Sequence, residues 1–251
     1  FFLSIIIYYS FFPIKKNYYL YKKLIIFRKS KVMKGREIEK IAKDIRRSIG
    51  RTYKYKQSDY INWKIKDGYF FCVDTSLYYD TKTHFMVPEL CVKPVYMDEL
   101  YWKIIYPNHE MKLPDSRRGN GVLSHLNEKI WERKTPKYLN AEFKVEEFEQ
   151  IMSDIYLNAE QEICVFLEKY PNPDLFGKFL AANGCGGTLS KILVLINEGN
   201  FAEAAQLSKE RLDSGRGVTI TYVIGEGENR QEKSEFEFIL EYCQSKIAES
   251  D

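Results

Sequence analysis

The five cysteines, Cys72, Cys91, Cys164, Cys185 and Cys243, contain no C-x-x-C pair, and the chain holds only three histidines. An odd, widely spaced set of cysteines excludes a disulfide framework and a structural zinc site, and it fits a reducing, cytoplasmic setting. His84 and His109 have no ligand-spaced neighbours. His125 and Glu128 would share a helix face but make only half a metal site. No metal and no cofactor is therefore expected. Long apolar runs are also missing. The stretch from Phe1 to Phe12 falls short of the about 20 residues that span a bilayer, Lys15 and Lys16 follow it, and no transmembrane segment is expected. It has neither the basic start nor the small-residue cleavage site of a secretory signal.

The first 32 residues lack acidic side chains altogether, carrying Lys15, Lys16, Lys22, Lys23, Arg28, Lys29 and Lys31 and no Asp or Glu. Most of the others are residues that codons of A and T alone can encode, and the first Met is Met33. The expectation is that residues 1–32 are upstream sequence read in frame, or a disordered leader, and that the natural chain begins at Met33. An aromatic, cationic membrane-surface anchor is the rival reading. Removing the leader reverses the sign of the charge, from +3 to 3 − 7 = −4 for residues 33–251.

What remains is electrically divided. Residues 33–138 hold 21 Lys and Arg against 14 Asp and Glu, a balance of +7, whereas residues 139–251 hold 10 against 21, or −11. Such asymmetry fits either a basic partner for the acidic half or mutual neutralisation of two halves folded together. With 45% hydrophobic and 15% aromatic residues there is enough apolar surface for a packed core.

The pattern along the chain predicts an α+β fold: an N-terminal helix, an antiparallel β-meander, then a helical C-terminal half packed on the sheet as one domain. Ile38, Ile41, Ala42, Ile45 and Ile49 recur at helical spacing, with Gly50 as a stop. Strands are expected over Thr52 to Lys56, Tyr60 to Lys66, Tyr69 to Leu77, His84 to Val87 and Leu90 to Val95. Asp67-Gly68 marks a tight hairpin between the second and third of these. Asp98 is read as the cap of a short helix ending before Pro107. Residues 107–141 read as a long ordered loop with a helix around Val122 to Trp131. Val145 to Tyr170 reads as a helix with Phe148, Ile151, Ile155, Leu157, Ile163 and Leu167 inward. A helical hairpin follows, Leu189 to Asn197 and Phe201 to Leu212. Its Gly199-Asn200-Phe201-Ala202-Glu203-Ala204-Ala205 resembles part of one tetratricopeptide unit, but one unit cannot bury a repeat core. Val218 to Ile224 reads as a strand and Gln231 to Ile247 as a final acidic helix.

Two stretches invite a ligand. Asn183-Gly184-Cys185-Gly186-Gly187-Thr188 precedes a helix, where glycine-exposed amides and helix polarity favour an anion and a thiol of lowered pKa. It lacks the Lys-Ser/Thr ending of a P-loop. Arg117 and Arg118, between Ser116 and Gly119, offer two guanidinium groups suited to phosphate or carboxylate. The Tyr53, Tyr55, Tyr60 and Trp63 strands could stack nucleic-acid bases, yet half-buried strands favour these residues anyway, so nucleic acid is not the expected partner.

The order Cys91-Val92-Lys93-Pro94, then Asp98-Glu99-Leu100-Tyr101-Trp102-Lys103-Ile104, then Arg117-Arg118-Gly119 and an acidic helical tail resembles uncharacterised bacterial domain-of-unknown-function proteins. The likeness covers roughly residues 36–170. Some small α+β proteins of that appearance act as immunity proteins beside toxin genes, so the resemblance implies binding and assigns no catalytic residue. Two functions follow as expectations. In the first, a cytoplasmic immunity or antitoxin-like factor binds a basic protein through Glu146, Glu147, Glu149, Glu235 and Glu237. In the second, an enzyme handles an anionic or phosphorylated substrate with Arg117, Arg118 and the loop Gly184, Cys185, Gly186, Gly187 and Thr188. The first is preferred, because no catalytic constellation assembles in the sequence.

Overall fold

A computed structural model describes residues 35–58, 61–79, 84–107, 113–119, 128–132, 137–139, 144–215, 221–224 and 231–250. The expected leader, Tyr60, His109, His125 and the residues from Val122 to Asn127 lie outside the described residues, as do Val218 to Ile220. The chain opens with α1 (Gly35–Thr52), whose isoleucine stripe supplies the buried Ile38, Ala42 and Ile45. The helix runs past Gly50 rather than stopping there. Lys54 then turns the chain with a φ of 63°, so the first strand, β1 (Lys56–Ser58), starts later than expected.

The central sheet has the order β1-β2-β3-β6-β7 and is antiparallel throughout, with β2 (Ile61–Lys66), β3 (Tyr69–Asp74), β6 (Glu89–Pro94) and β7 (Glu128–Glu132). Asp67 and Gly68 join β2 to β3 with φ of 50° and 79°, and Lys66 stands opposite Tyr69, as the Asp-Gly dipeptide predicts for a two-residue hairpin. Pro173 approaches so closely that a Cβ at Gly68 would lie 2.7 Å from its ring. Strand β7 corrects the expected helix: Glu128, Lys129, Trp131 and Glu132 pair with β6 instead, with a register shift between Leu90 and Cys91 that skips Ile130. The strands β4 (Leu77–Tyr79), β5 (His84–Met86) and β8 (Lys137–Leu139) make a separate three-stranded sheet.

Side chains alternate across β3, and both faces are buried. Tyr69, Phe71 and Val73 face the main core with Leu90 and Val92, while Phe70 and Cys72 pack with Trp63 on the reverse face. After β6 come α2 (Val95–Ile105), α3 (Val145–Lys169), α4 (Pro173–Ala182), α5 (Gly187–Asn197) and α6 (Phe201–Asp213). The hairpin β9 (Thr221–Ile224) and β10 (Gln231–Ser234) then leads into α7 (Glu235–Ala248). The architecture is thus the expected one: N-terminal helix, antiparallel sheet, helical C-terminal half. α1 lies on α3, α2 on α5 and α7, and α5 to α7 pack in sequence. One apolar core extends from Ile38 of α1 through Phe71 and Phe166 to Cys243 of α7.

The start of α7 corrects the expectation that Gln231 already belongs to the final helix. Ser234 is the N-cap: its hydroxyl accepts from the amide of Glu237, and the Glu237 carboxylate accepts from the Ser234 amide at 2.6 Å. This is a capping box, which satisfies two helix-end amides reciprocally. Those hydrogen bonds from Ser234, aided by Lys233, hold the Glu237 carboxyl below the usual range. A folded pKa below the unfolded one stabilises above the ordinary Glu range, and the contribution disappears as pH falls through the folded pKa. Ser234→Ala is expected to cost about 1 kcal/mol and to move the Glu237 titration only part of the way back toward the ordinary Glu range, read by NMR, because Ala keeps the backbone amide that donates to the carboxylate.

Candidate functional site

The most distinctive exposed surface belongs to α3. This helix has 25 residues, so it is about 37 Å long. It carries seven carboxylates and a single Lys, Lys169. Phe148, Met152, Ile155, Tyr156, Ala159, Ile163 and Phe166 recur every three or four residues and are buried. The spacing that fixes this inward stripe fixes an outward one: Glu147, Gln150, Asp154, Leu157, Gln161, Cys164, Val165 and Glu168 are all exposed. Leu157 was expected inward, but it stands two residues from Ile155, a separation that never shares a helix face, and is 48% exposed. Val165 is 60% exposed. The result is an acidic helix face with two uncovered aliphatic side chains, Leu157 at its middle and Val165 near its C-terminal end, and carboxylates at both ends.

The five glutamates expected at a partner surface separate. Glu146 and Glu147 are exposed in the first turn of α3, where helix polarity also favours acids. Glu149 is half-buried, and that burial with the neighbouring Glu146 raises its carboxyl pKa. Glu237 is exposed but engaged in the capping box. Glu235 is buried and its carboxylate accepts a hydrogen bond from Tyr101 at 3.0 Å, so it is an internal packing residue and not a surface charge.

The expected anion sites also come apart. Arg117 is exposed in the short 3-10 turn Asp115–Arg117, but Arg118 points inward and is 4% exposed. Its guanidinium reaches Asp98 at 3.4 Å, Glu99 at 3.4 Å and Asp115 at 3.0 Å, and its carbonyl accepts a hydrogen bond from Lys93. Lys93 in turn lies 2.9 Å from Asp98, and both are fully buried. Asp98 therefore does not cap α2, whose N-cap is Pro94; it is the anionic centre of an internal network that ties β6, α2 and residues 115–118 together. Burial pushes the Lys93 pKa down and the Asp98 pKa up, against their mutual attraction. This is the usual balance when ion pairs leave water.

The glycine loop joins α4 to α5. Gly184, Gly186 and Gly187 have φ of 70°, 71° and 66°, conformations that favour glycine. Two of the amides that would cradle an anion already donate within the loop region, Cys185 to the Leu180 carbonyl and Gly187 to the Gly184 carbonyl, each at 3.0 Å. Thr188 is half-buried in the first turn of α5. The Cys185 thiol does not have the lowered pKa expected of it: desolvation raises it, as does the nearby Glu128 carboxylate.

The aromatic strand residues serve packing. Tyr55 and Trp63 are buried, and Tyr53 stacks on Tyr156 with ring centroids 5.8 Å apart. His84 pairs opposite Tyr79 and Leu139 in the small sheet. Among the described residues no group of three or more His, Cys, Asp or Glu could hold a metal ion, and no helix is long and apolar enough to cross a membrane. No protein-family model, curated protein or solved structure matches the chain.

Proposed function

We propose that the protein is a cytoplasmic bacterial protein-binding factor of the immunity or antitoxin kind, and that the outward face of α3 receives a basic partner. The observation that carries this reading is the outward stripe itself. Glu147, Asp154 and Glu168 surround the exposed Leu157 and Val165 on one rigid helix. Interfaces combine a small apolar centre with a polar rim, and charge complementarity steers the encounter. The excess of 21 acidic over 10 basic residues in the C-terminal half, residues 139–251, supports a cationic partner. The resemblance to bacterial proteins of immunity-like appearance supports a binding role.

The test is capture by the full chain from a lysate of the source cells at low and at high salt. One basic protein retained near stoichiometry at low salt and released at high salt is the expected result. It should not be retained by the Glu146→Gln, Glu147→Gln, Asp154→Asn, Glu168→Gln variant. No specific partner at either salt, or equal retention by the variant, overturns the proposal.

A further inference from the structure

We infer that Cys72 and Cys91 form a reversible cross-strand disulfide in the central sheet, making this pair a site of oxidation by small disulfides. The two residues stand directly opposite one another in the β3–β6 ladder. Opposed residues of antiparallel strands have Cα atoms about 4.5–5.5 Å apart. A disulfide accepts Cα separations of about 4.4–6.8 Å, so the backbone already meets its requirement. Both side chains project from the same face of the sheet, packed with Trp63 and Phe70.

The two cysteines differ in access, which orders the chemistry. Cys72 is 2% exposed, whereas Cys91 is half-buried and lies where the β6–β7 register shifts. Such irregularities often re-aim a side chain. A small disulfide RSSR is therefore attacked first by the Cys91 thiolate, giving the mixed disulfide Cys91–S–S–R and releasing one RS⁻. The Cys72 sulfur, on the residue directly opposite, then attacks the Cys91 sulfur and expels the second RS⁻. Each departing thiolate takes up the proton one cysteine has lost. Two protein thiols are oxidised to one disulfide, and RSSR is reduced to two RSH. In a reducing compartment the pair rests as thiols and closes when the small-disulfide pool rises.

The experiment uses the full chain carrying Cys164→Ser and Cys185→Ser, which removes the other accessible thiols and leaves Cys243 fully buried. It is incubated with glutathione disulfide, alkylated and digested with trypsin. Cleavage after Lys82 separates the two cysteines. The expected product has lost two hydrogens, carries no glutathione, and yields a reducible link between the Cys72 and Cys91 peptides. Adding Cys72→Ser should leave one stable glutathione on Cys91, which shows the order of attack. A stable adduct on Cys91 while Cys72 is present, or two cysteines still free after incubation, overturns the inference.

Discussion

Asp98→Ala is expected to destabilise the protein by about 3–5 kcal/mol, because it leaves the fully buried Lys93 ammonium without its carboxylate and removes one of the three that surround Arg118. The number reflects stranded charge and not the net worth of the pair. Burial already shifts both partners' pKa values against their charged forms. Replacing both, as Lys93→Met with Asp98→Leu, is therefore expected to recover most of the loss, since Arg118 keeps Asp115 and Glu99. Denaturant titration of the three proteins reads this directly. If Asp98→Ala unfolds at the parent's midpoint, the network does not hold residues 115–118 to the sheet.

Phe166→Ala is the second large effect, expected at about 3–5 kcal/mol. Phe166 is 7% exposed, and its ring meets those of Tyr69, Phe71, Tyr170 and Phe176 at centroid distances of 5.2, 5.7, 5.2 and 4.8 Å. It joins the last turn of α3 to the sheet and to α4, so truncation opens a cavity among three elements. Its neighbour Val165 points outward, and Val165→Ala is expected to stay within about 0.5 kcal/mol. The contrast between adjacent positions tests the orientation of α3, and with it the outward stripe. Comparable losses at both would place Val165 in the core and remove the apolar centre of the proposed surface.

Features set by near neighbours in the chain were legible from the residues alone. Asp67-Gly68 marks its hairpin because the turn needs positive φ at both residues. The isoleucines of α1 and the buried stripe of α3 mark their helices by period. The Ser234 to Glu237 signature was equally local, but the surrounding acidic run reads as one continuous helix and conceals the cap within it. Leu157 is apolar but out of phase with the buried stripe of α3, so hydrophobicity without phase puts it on the wrong face.

Features made by distant neighbours were not legible. Arg118 looks like a free guanidinium in a glycine-punctuated loop, and only folding brings it to Asp98, twenty positions earlier. Glu235 counts as one more acid in an acidic tail until Tyr101 from another helix meets it. Glu128 to Trp131 have the composition of a helix, yet the unpaired edge of β6 recruits them as a strand, a choice made by tertiary pairing over local preference. The opposition of Cys72 and Cys91 depends on strand register, which residue spacing does not disclose.

We propose that the acidic outward face of α3 guides a basic partner to the protein. This is tested most directly by the association rate of the captured partner, measured across ionic strength for the parent and for the variant neutralised at Glu146, Glu147, Asp154 and Glu168. Electrostatic steering raises such rates by about ten- to a thousand-fold at low salt. At least a tenfold slower association of the variant is expected at low salt, with the two curves converging as salt screens the charge. Superimposable curves at every ionic strength would contradict it.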